Sequence, residues 1–324
     1  MGDVTMMRAA GFDRHGPPEV LRISAAPVPV PAPGQVRVRV VAAGVQPFDS
    51  LVRSGAPGMS TELPAGIGNE FAGVVDHVGD AVMSFGRGDE VIGWAHMATH
   101  AEYVVTSTNA VVAKPSGIAW TEAGALGASG QTALSALREL EITRGETLLV
   151  AGAAGGAGSM LIQLARLSGA HVIGTASPPR HASLRLLGAT PIDYGQDWTS
   201  RVDAAAPGGI DAALDAVGGP TLQDLTDLIA DRNRIGTLVD HRQAAELGVR
   251  GIRAQRSTQQ LQVLADLAVQ ERLRVSVRAR YPLEKIAEAH RDVETGHGHG
   301  KVVLDIGTPP PASVSSGGVT VRPS

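Results

Sequence analysis

Two periods of hydrophobic and polar positions divide the chain. In its first third, apolar residues recur at every second position over short stretches broken by glycine and proline. Val36-Arg37-Val38-Arg39-Val40-Val41 alternates apolar with charged, the period of a strand buried on one face. Gly73-Val74-Val75-Asp76-His77-Val78-Gly79, Asp89-Glu90-Val91-Ile92-Gly93 and Ala101-Glu102-Tyr103-Val104-Val105 are further units of the same kind. Strands so closely spaced predict a small antiparallel, barrel-like domain.

From about Trp120 the period lengthens. Residues 121–140 carry a helical pattern, after which strand and helix alternate. Strands are predicted at 147–151, 171–175, 210–216 and 234–239, with helices near 156–168, 179–187 and 220–230. This alternation predicts an α/β domain with a parallel sheet covered on both faces. Another helix is predicted at 261–271, and 275–281 and 301–306 return to strand patterning. Beyond Gly307 the chain is rich in proline, serine and glycine, a composition that predicts a disordered tail. No internal repeat is evident.

The stretch with the most specific chemistry lies where the period has changed. Leu148-Leu149-Val150-Ala151 runs into Gly152-Ala153-Ala154-Gly155-Gly156-Ala157-Gly158, and a helical pattern begins at Ser159. Small residues at such a turn let the backbone approach a diphosphate, whose charge then rests on the unpaired N–H groups at the helix start. A glycine-rich turn alone is weak evidence, but this one has a strand before it and a helix after it. It reads as a dinucleotide site. An NAD-selective fold places an acid about 20 residues further on, for the ribose hydroxyls. Here the second strand ends in Ala176-Ser177-Pro178-Pro179-Arg180, with no carboxylate. Ser177 and Arg180 suit the 2′-phosphate of NADPH. The alternative makes Ser177 only a helix cap and Arg180 only a solvated helix residue.

Composition narrows the field mainly by exclusion. At 324 residues the chain has room for two domains, and 43% hydrophobic content supports a full core even though aromatics are only 3%. A net charge of −4 offers no basic field for nucleic acid or an acidic membrane. With no cysteine, disulfides, thiol nucleophiles, iron–sulfur clusters and cysteine-ligated zinc are excluded. The first residues show no signal-peptide pattern, and no apolar run approaches the roughly 20 residues of a membrane helix. The expectation is a soluble cytoplasmic protein.

Several ordered motifs now acquire a common meaning. They include Ala43-Gly44-Val45-Gln46-Pro47-Phe48-Asp49, the glycine-rich stretch from Pro64 to Gly93, Ala101-Glu102-Tyr103 and Lys114-Pro115. Gly130-Gln131-Thr132-Ala133, Ala153-Ala154-Gly155-Gly156-Ala157-Gly158, Leu187-Gly188-Ala189, Asp193-Tyr194 and Gly300-Lys301-Val302-Val303-Leu304 follow in order. Across residues 6–306 the chain resembles the zinc-free quinone oxidoreductase branch of the medium-chain dehydrogenases/reductases. That resemblance implies a GroES-like, β-barrel-type domain (1–119 and 272–306) and a Rossmann doubly wound domain (120–271), with residues 307–324 as the tail. It further implies NADPH-dependent hydride transfer to a quinone or an activated C=C bond of a small hydrophobic acceptor, and a possible homodimer. On the same resemblance Thr132, Gly152, Ala154, Gly155, Gly156, Ala157, Ser177, Arg180, Tyr194, Val217 and Lys301 line the cofactor. Tyr194 has a second reading as a half-buried core residue with a satisfied hydroxyl.

Departures from the family pattern sharpen the chemistry. The zinc-dependent members carry Gly-His-Glu and a cysteine, whereas this chain has Gly68-Asn69-Glu70 and no cysteine, so no metal is expected. Gln46 replaces the family asparagine, and Leu51 stands at about the position of a tyrosine often present there. Hydride transfer needs the acceptor placed and its oxygen stabilised; the proton can come from water. Gln46 is assigned to orient the cofactor or the acceptor carbonyl. Asp49 is either catalytic or, more in keeping with its place, a cap on the next turn. Phe48, Leu51, Trp94 and Met97 are assigned to an apolar acceptor pocket, against a plain core reading. His96, His100 and His241 are candidate proton donors, against a reading as solvated loop residues. Gly296-His297-Gly298-His299-Gly300 reads as a loop, since two histidines are too few for zinc. Arg250, Arg253 and Arg256 form a basic cluster, solvated or reaching the cofactor phosphates. Two alternatives accompany this reading: an enoyl reductase tailoring a polyketide or other natural product, and a non-enzymatic NADPH-binding protein.

Overall fold

A computed structural model of the chain describes residues 5–59, 61–296 and 298–311. The first part of the chain forms β1 (Met6–Phe12), β2 (Arg22–Pro27), β3 (Gln35–Val45), α1 (Pro47–Ser54), β4 (Ala65–Gly66), β5 (Phe71–Val78), β6 (Glu90–Gly93), β7 (Tyr103–Ser107) and β8 (Val111–Ala113). The alternation at 36–41 has the predicted cause. Val36, Val38 and Val40 are fully buried, while Arg37 points outward and pairs with Asp76 at 2.9 Å. Beyond Val40 alternation stops, and 41–45 is buried throughout. There β3 meets a helix on its second face: the Gly44 N–H donates to the Gly124 carbonyl at 2.8 Å, and a Cβ on Gly124 would lie 2.6 Å from the Ala42 oxygen.

That contact also explains a difference from the predicted helix at 121–140. The segment is two helices, α2 (Trp120–Ala123) and α3 (Gly127–Glu139), separated where Gly124 presses against the β3 backbone. A continuous helix through Gly124 would forgo that strand contact.

Next come β9 (Thr147–Ala151), α4 (Gly156–Leu167), β10 (His171–Thr175), α5 (His181–Leu186), β11 (Thr190–Ile192), α6 (Trp198–Ala205), β12 (Ala212–Asp215), α7 (Pro220–Leu228), β13 (Ile235–Thr237), α8 (His241–Leu247) and β14 (Arg250–Gly251). All six strands are parallel, ordered β11-β10-β9-β12-β13-β14. This is the doubly wound order that reverses between its first and fourth strands, where a crevice opens at the carboxyl ends. Both faces are covered. Leu148 and Val150 join the core with Met160, Leu161 and Leu264, while Leu149 joins Ile173, Leu222 and Ile235 in another core. Two-sided burial is why β9 reads as a continuous apolar run.

After α9 (Thr258–Val269) the chain returns to the first sheet through β15 (Val277–Pro282), α10 (Ile286–Glu294) and β16 (Lys301–Asp305). The sheet runs β15-β16-β3-β5-β6-β8, with β7 also on β3, and the register sets Val303 opposite Gly44. A smaller β2-β1-β4 sheet flanks it, bridged through Ala9 and Ala101. The cleft therefore has one wall from each half of the fold. No helix among the described residues is long and apolar enough to cross a membrane. Residues 312–324, most of the predicted tail, lie outside the described residues, as does His297 of the glycine–histidine loop.

Candidate active site

The cleft, of about 950 Å³, opens over the carboxyl end of β9. Gly152 leaves that strand with φ of 78°, and its N–H donates to Thr175 Oγ1 at the end of β10 (3.2 Å). Gly155 caps α4, whose first backbone bond runs from the Ser159 N–H to the Gly155 carbonyl at 2.9 Å. The N–H groups before it sit at the positive end of the helix dipole, beside the cleft. Two glycines are demanded by close approach. A Cβ on Gly158 would lie 2.6 Å from the Gly152 oxygen, and one on Gly156 would lie 2.7 Å from Lys301 Cδ. The first would separate helix from strand, and the second would displace a lysine of the cleft floor.

All of the cofactor-side residues expected from the sequence line this one cleft. Gly152, Ala154, Gly155, Gly156 and Ala157 form the turn, Lys301 packs against Gly156, and Thr132 lines the same cleft. Ser177 and Arg180, just past β10, and Tyr194, just past the neighbouring β11, line it as well. Ser177 occupies the cap position of the turn at Pro178–Arg180, yet its hydroxyl makes no capping bond, so capping does not account for it. Tyr194 is 55% exposed, which removes the core reading of its ring. Val217 borders Gly152 on a loop tied by Asp215, fully buried, whose carboxylate accepts from the N–H groups of Val217 (2.9 Å) and Gly218 (2.8 Å) and from Thr237 Oγ1 (2.7 Å). Such a turn and cleft fit a dinucleotide.

Against Gly156 a buried charge network forms the floor of the cleft. Glu70, 1% exposed, accepts from Lys301 Nζ at 2.8 Å and Gln46 Nε2 at 3.0 Å through one oxygen, and from the Ala128 N–H at 2.8 Å through the other. Lys301 Nζ also donates to Ser129 Oγ at 3.2 Å. Gln46 therefore faces the cleft with its amide nitrogen held, as befits an orienting group. The Glu70–Lys301 pair was not foreseen. Its signals were an acid inside an otherwise apolar stretch and a lone lysine opening the last strand.

Three sequence assignments are corrected. Asp49 lies outside the cleft: it is fully buried, Oδ2 accepts from the Gln46 N–H at 2.9 Å, and Oδ1 accepts from Asn69 Nδ2 at 2.7 Å. It caps α1 and holds Asn69, and burial pushes its carboxyl above the ordinary range. Trp94 and Met97 are absent from the lining, whereas Phe48 and Leu51 are present. The Trp94 backbone is fixed by the Ala110 carbonyl and by the Thr106 hydroxyl, and its ring packs on the core shared with α3 and α4. Met97, 8% exposed, belongs to the core of the first sheet.

Of the candidate histidines, His96 and His241 reach the cleft. His100 does not: it is fully buried, with Nε2 on the Gly44 carbonyl at 3.1 Å, and burial lowers its pKa. Arg250 turns away to the Asn233 carbonyl at 2.7 Å, while Arg253 and Arg256 line the cleft. Met59 and Ile252 also line it and were missed, because an isolated apolar residue does not announce which way it points.

Zinc does not fit this donor set. No group of three histidine, aspartate or glutamate side chains among the described residues is placed to hold a metal. Asn69 offers an amide already donating to Asp49, and the Glu70 oxygens are occupied by Lys301, Gln46 and Ala128.

Comparison with known proteins agrees with this geometry. Residues 32–135 match the alcohol dehydrogenase GroES-like domain, and residues 187–304 match the zinc-binding dehydrogenase model. A quinone oxidoreductase of Mus musculus is 30% identical over 92% of this chain and 98% of its own length. The structure of the quinone oxidoreductase from Coxiella burnetii superposes with a TM-score of 0.87 at 31% identity, covering 93% of this chain and 99% of that one. An Escherichia coli quinone oxidoreductase complexed with NADPH gives 0.83 at 25% identity, covering 92% and 99%.

Proposed function

Because the chain belongs to the medium-chain dehydrogenase/reductase family, among its quinone oxidoreductases, we propose that it is an NADPH-dependent reductase of quinones and enones. The observation that carries the cofactor choice is that Ser177 and Arg180 line the cleft just past β10, with Tyr194 past the neighbouring β11, where an NAD-selective site would present an acid. A hydroxyl, a guanidinium fork and a phenol are suited to a phosphate monoester. The E. coli relative with bound NADPH supports the same choice.

When bound, the nicotinamide supplies hydride. The chain's own residues do the rest. The α4 N-terminus takes the diphosphate, and Gln46, its nitrogen held by Glu70, presents its amide oxygen to what lies beside it. Phe48, Leu51 and Met59 furnish an apolar wall that keeps water from the transfer. A quinone carbonyl is conjugated like that of an enone, so one wall and one oxygen-binding group serve both.

The test is the ratio of NADPH to NADH affinity, measured by cofactor fluorescence. Arg180→Ala is expected to lower it about tenfold, the size of one charge-assisted contact. An unchanged ratio would overturn the 2′-phosphate assignment. Oxidation of NADPH over a panel of quinones, enones and enoyl thioesters then tests the activity. Tight NADPH binding without turnover on any of them would favour a cofactor-binding protein instead.

A further inference from the structure

The acceptor end of the cleft holds a cation that the cofactor assignment leaves unused. Among the described residues no aspartate or glutamate lines the cleft, whereas Arg180, Arg253, Arg256, Arg278 and Lys301 do. Lys301 is neutralised from behind by Glu70, and Arg278 by Asp292. Arg180 stands at the adenosine end, and Arg253 is exposed to solvent. Arg256 is different: it is half-buried, and among the described residues no carboxylate pairs with it.

Its position is built rather than incidental. On either side of it the backbone is pinned to α3, with the Gln255 N–H on Ser135 Oγ at 2.9 Å and the Ser257 N–H on Gln131 Oε1 at 2.8 Å. Ser257 then caps α9, its hydroxyl accepting from the Gln260 N–H at 3.2 Å. From this fixed base the side chain crosses to the other half of the fold, where Nη1 donates to the Asn69 carbonyl at 3.1 Å. That bond anchors the guanidinium beside Gln46 and Glu70. One of five N–H donors is spent there; burial disfavours the cation, and the charges of Glu70 and Asp49 offset this only in part, so a ligand's negative charge would be favoured beside it.

We propose that Arg256 is a catalytic residue that receives the acceptor's carbonyl oxygen and stabilises the negative charge developing on it. The inference rests on the reductase reading. The acceptor gains hydride from the reduced nicotinamide, which leaves oxidised by two electrons. The conjugated electron pair moves onto the carbonyl oxygen, giving an enolate or a hydroquinone monoanion. One proton from water completes the product. Arg256 gives up no proton; it supplies a preorganised donor and a positive charge where the oxyanion forms.

The experiment pairs kinetics with an anion titration on the NADP⁺-bound protein. Arg256→Met is expected to lower kcat about 100-fold or more, the effect of removing one oxyanion donor, with NADPH affinity nearly unchanged. Arg256→Lys, which keeps the charge without the fork, should recover part of the loss. The second readout uses 4-nitrophenol, whose phenolate mimics the oxyanion and is followed by its colour. Wild type should favour the phenolate and lower the probe's apparent pKa, and Arg256→Met should abolish that shift. A kcat for Arg256→Met within about threefold of wild type overturns the proposal. So does a 4-nitrophenol shift that survives in that variant, or no phenolate binding by wild type. Should Arg256→Met not fold, Arg256→Lys and Arg256→Gln take its place in both measurements. If wild type reduces no quinone or enone, the reductase reading is what fails, and the titration still decides whether Arg256 forms an anion site.

Discussion

Glu70 and Lys301 form an ion pair whose removal has a calculable and asymmetric cost. They are 1% and 5% exposed, and their charged atoms lie 2.8 Å apart. At an effective dielectric constant of about 20 the attraction is about 6 kcal/mol, offset in large part by the desolvation of both groups. Losing one partner leaves the other as an uncompensated buried charge, at a cost of about 3–5 kcal/mol. Lys301→Met leaves Glu70 with the Gln46 and Ala128 donors, so its cost should be about 3 kcal/mol. Glu70→Gln leaves the ammonium with the Ser129 hydroxyl and an amide oxygen, so its cost should be about 4 kcal/mol. The double variant removes both charges and should fall short of the sum by at least about 2 kcal/mol. Urea unfolding of the four proteins measures this, provided the m values agree. Additive costs, or a cheaper Glu70→Gln than Lys301→Met, would refute the reasoning.

Two further predictions concern packing and pH. Gly158→Ala places a Cβ 2.6 Å from the Gly152 oxygen and 2.9 Å from Ala153 Cα, backbone atoms that cannot yield; it should cost about 1–3 kcal/mol in urea unfolding and weaken NADPH binding, while Gly208→Ala, with nothing within 4 Å, should do neither. His290 is fully buried against Ser50, His100 and Arg53, and burial pushes its pKa down from 6.5 to about 2. The folded state therefore binds fewer protons than the unfolded state between those values, and the stability contributed by neutral His290 is present above pH 6.5 and lost as pH falls below it. One pH unit below that value wild type should have lost about 1.4 kcal/mol more than His290→Gln, and equal pH slopes in the two proteins would count against this account.

What could be read in the sequence follows from how local each signal is. The β9 turn and the strands around it declared themselves because two-sided burial and close glycine contacts act within a few residues. Gln46, Ser177, Arg180 and Tyr194 were legible through motif resemblance, and the cleft gathers them. Asp49 was left with two roles because a carboxylate capping a helix and a carboxylate poised for catalysis look alike in sequence, and the structure gives the cap. Trp94 and Met97 misled because hydrophobicity gives no direction, and here backbone bonds and core packing turn them from the cleft. The Glu70–Lys301 pair joins residues 231 positions apart, a separation over which no periodic pattern operates.

The lysine of that pair belongs to the last strand, and this sets an order of assembly. During synthesis Gln46, Glu70 and the α3 residues emerge early, yet the positive charge that neutralises Glu70 arrives only with residue 301. β16 arrives with it and fills the gap between β15 and β3. A chain cut just short of Lys301 would retain the glycine turn and most of both sheets, but it would carry an uncompensated acid at the floor of an unfinished cleft. The cleft is thus completed only once β16 is in place, by the same residue that holds its floor together.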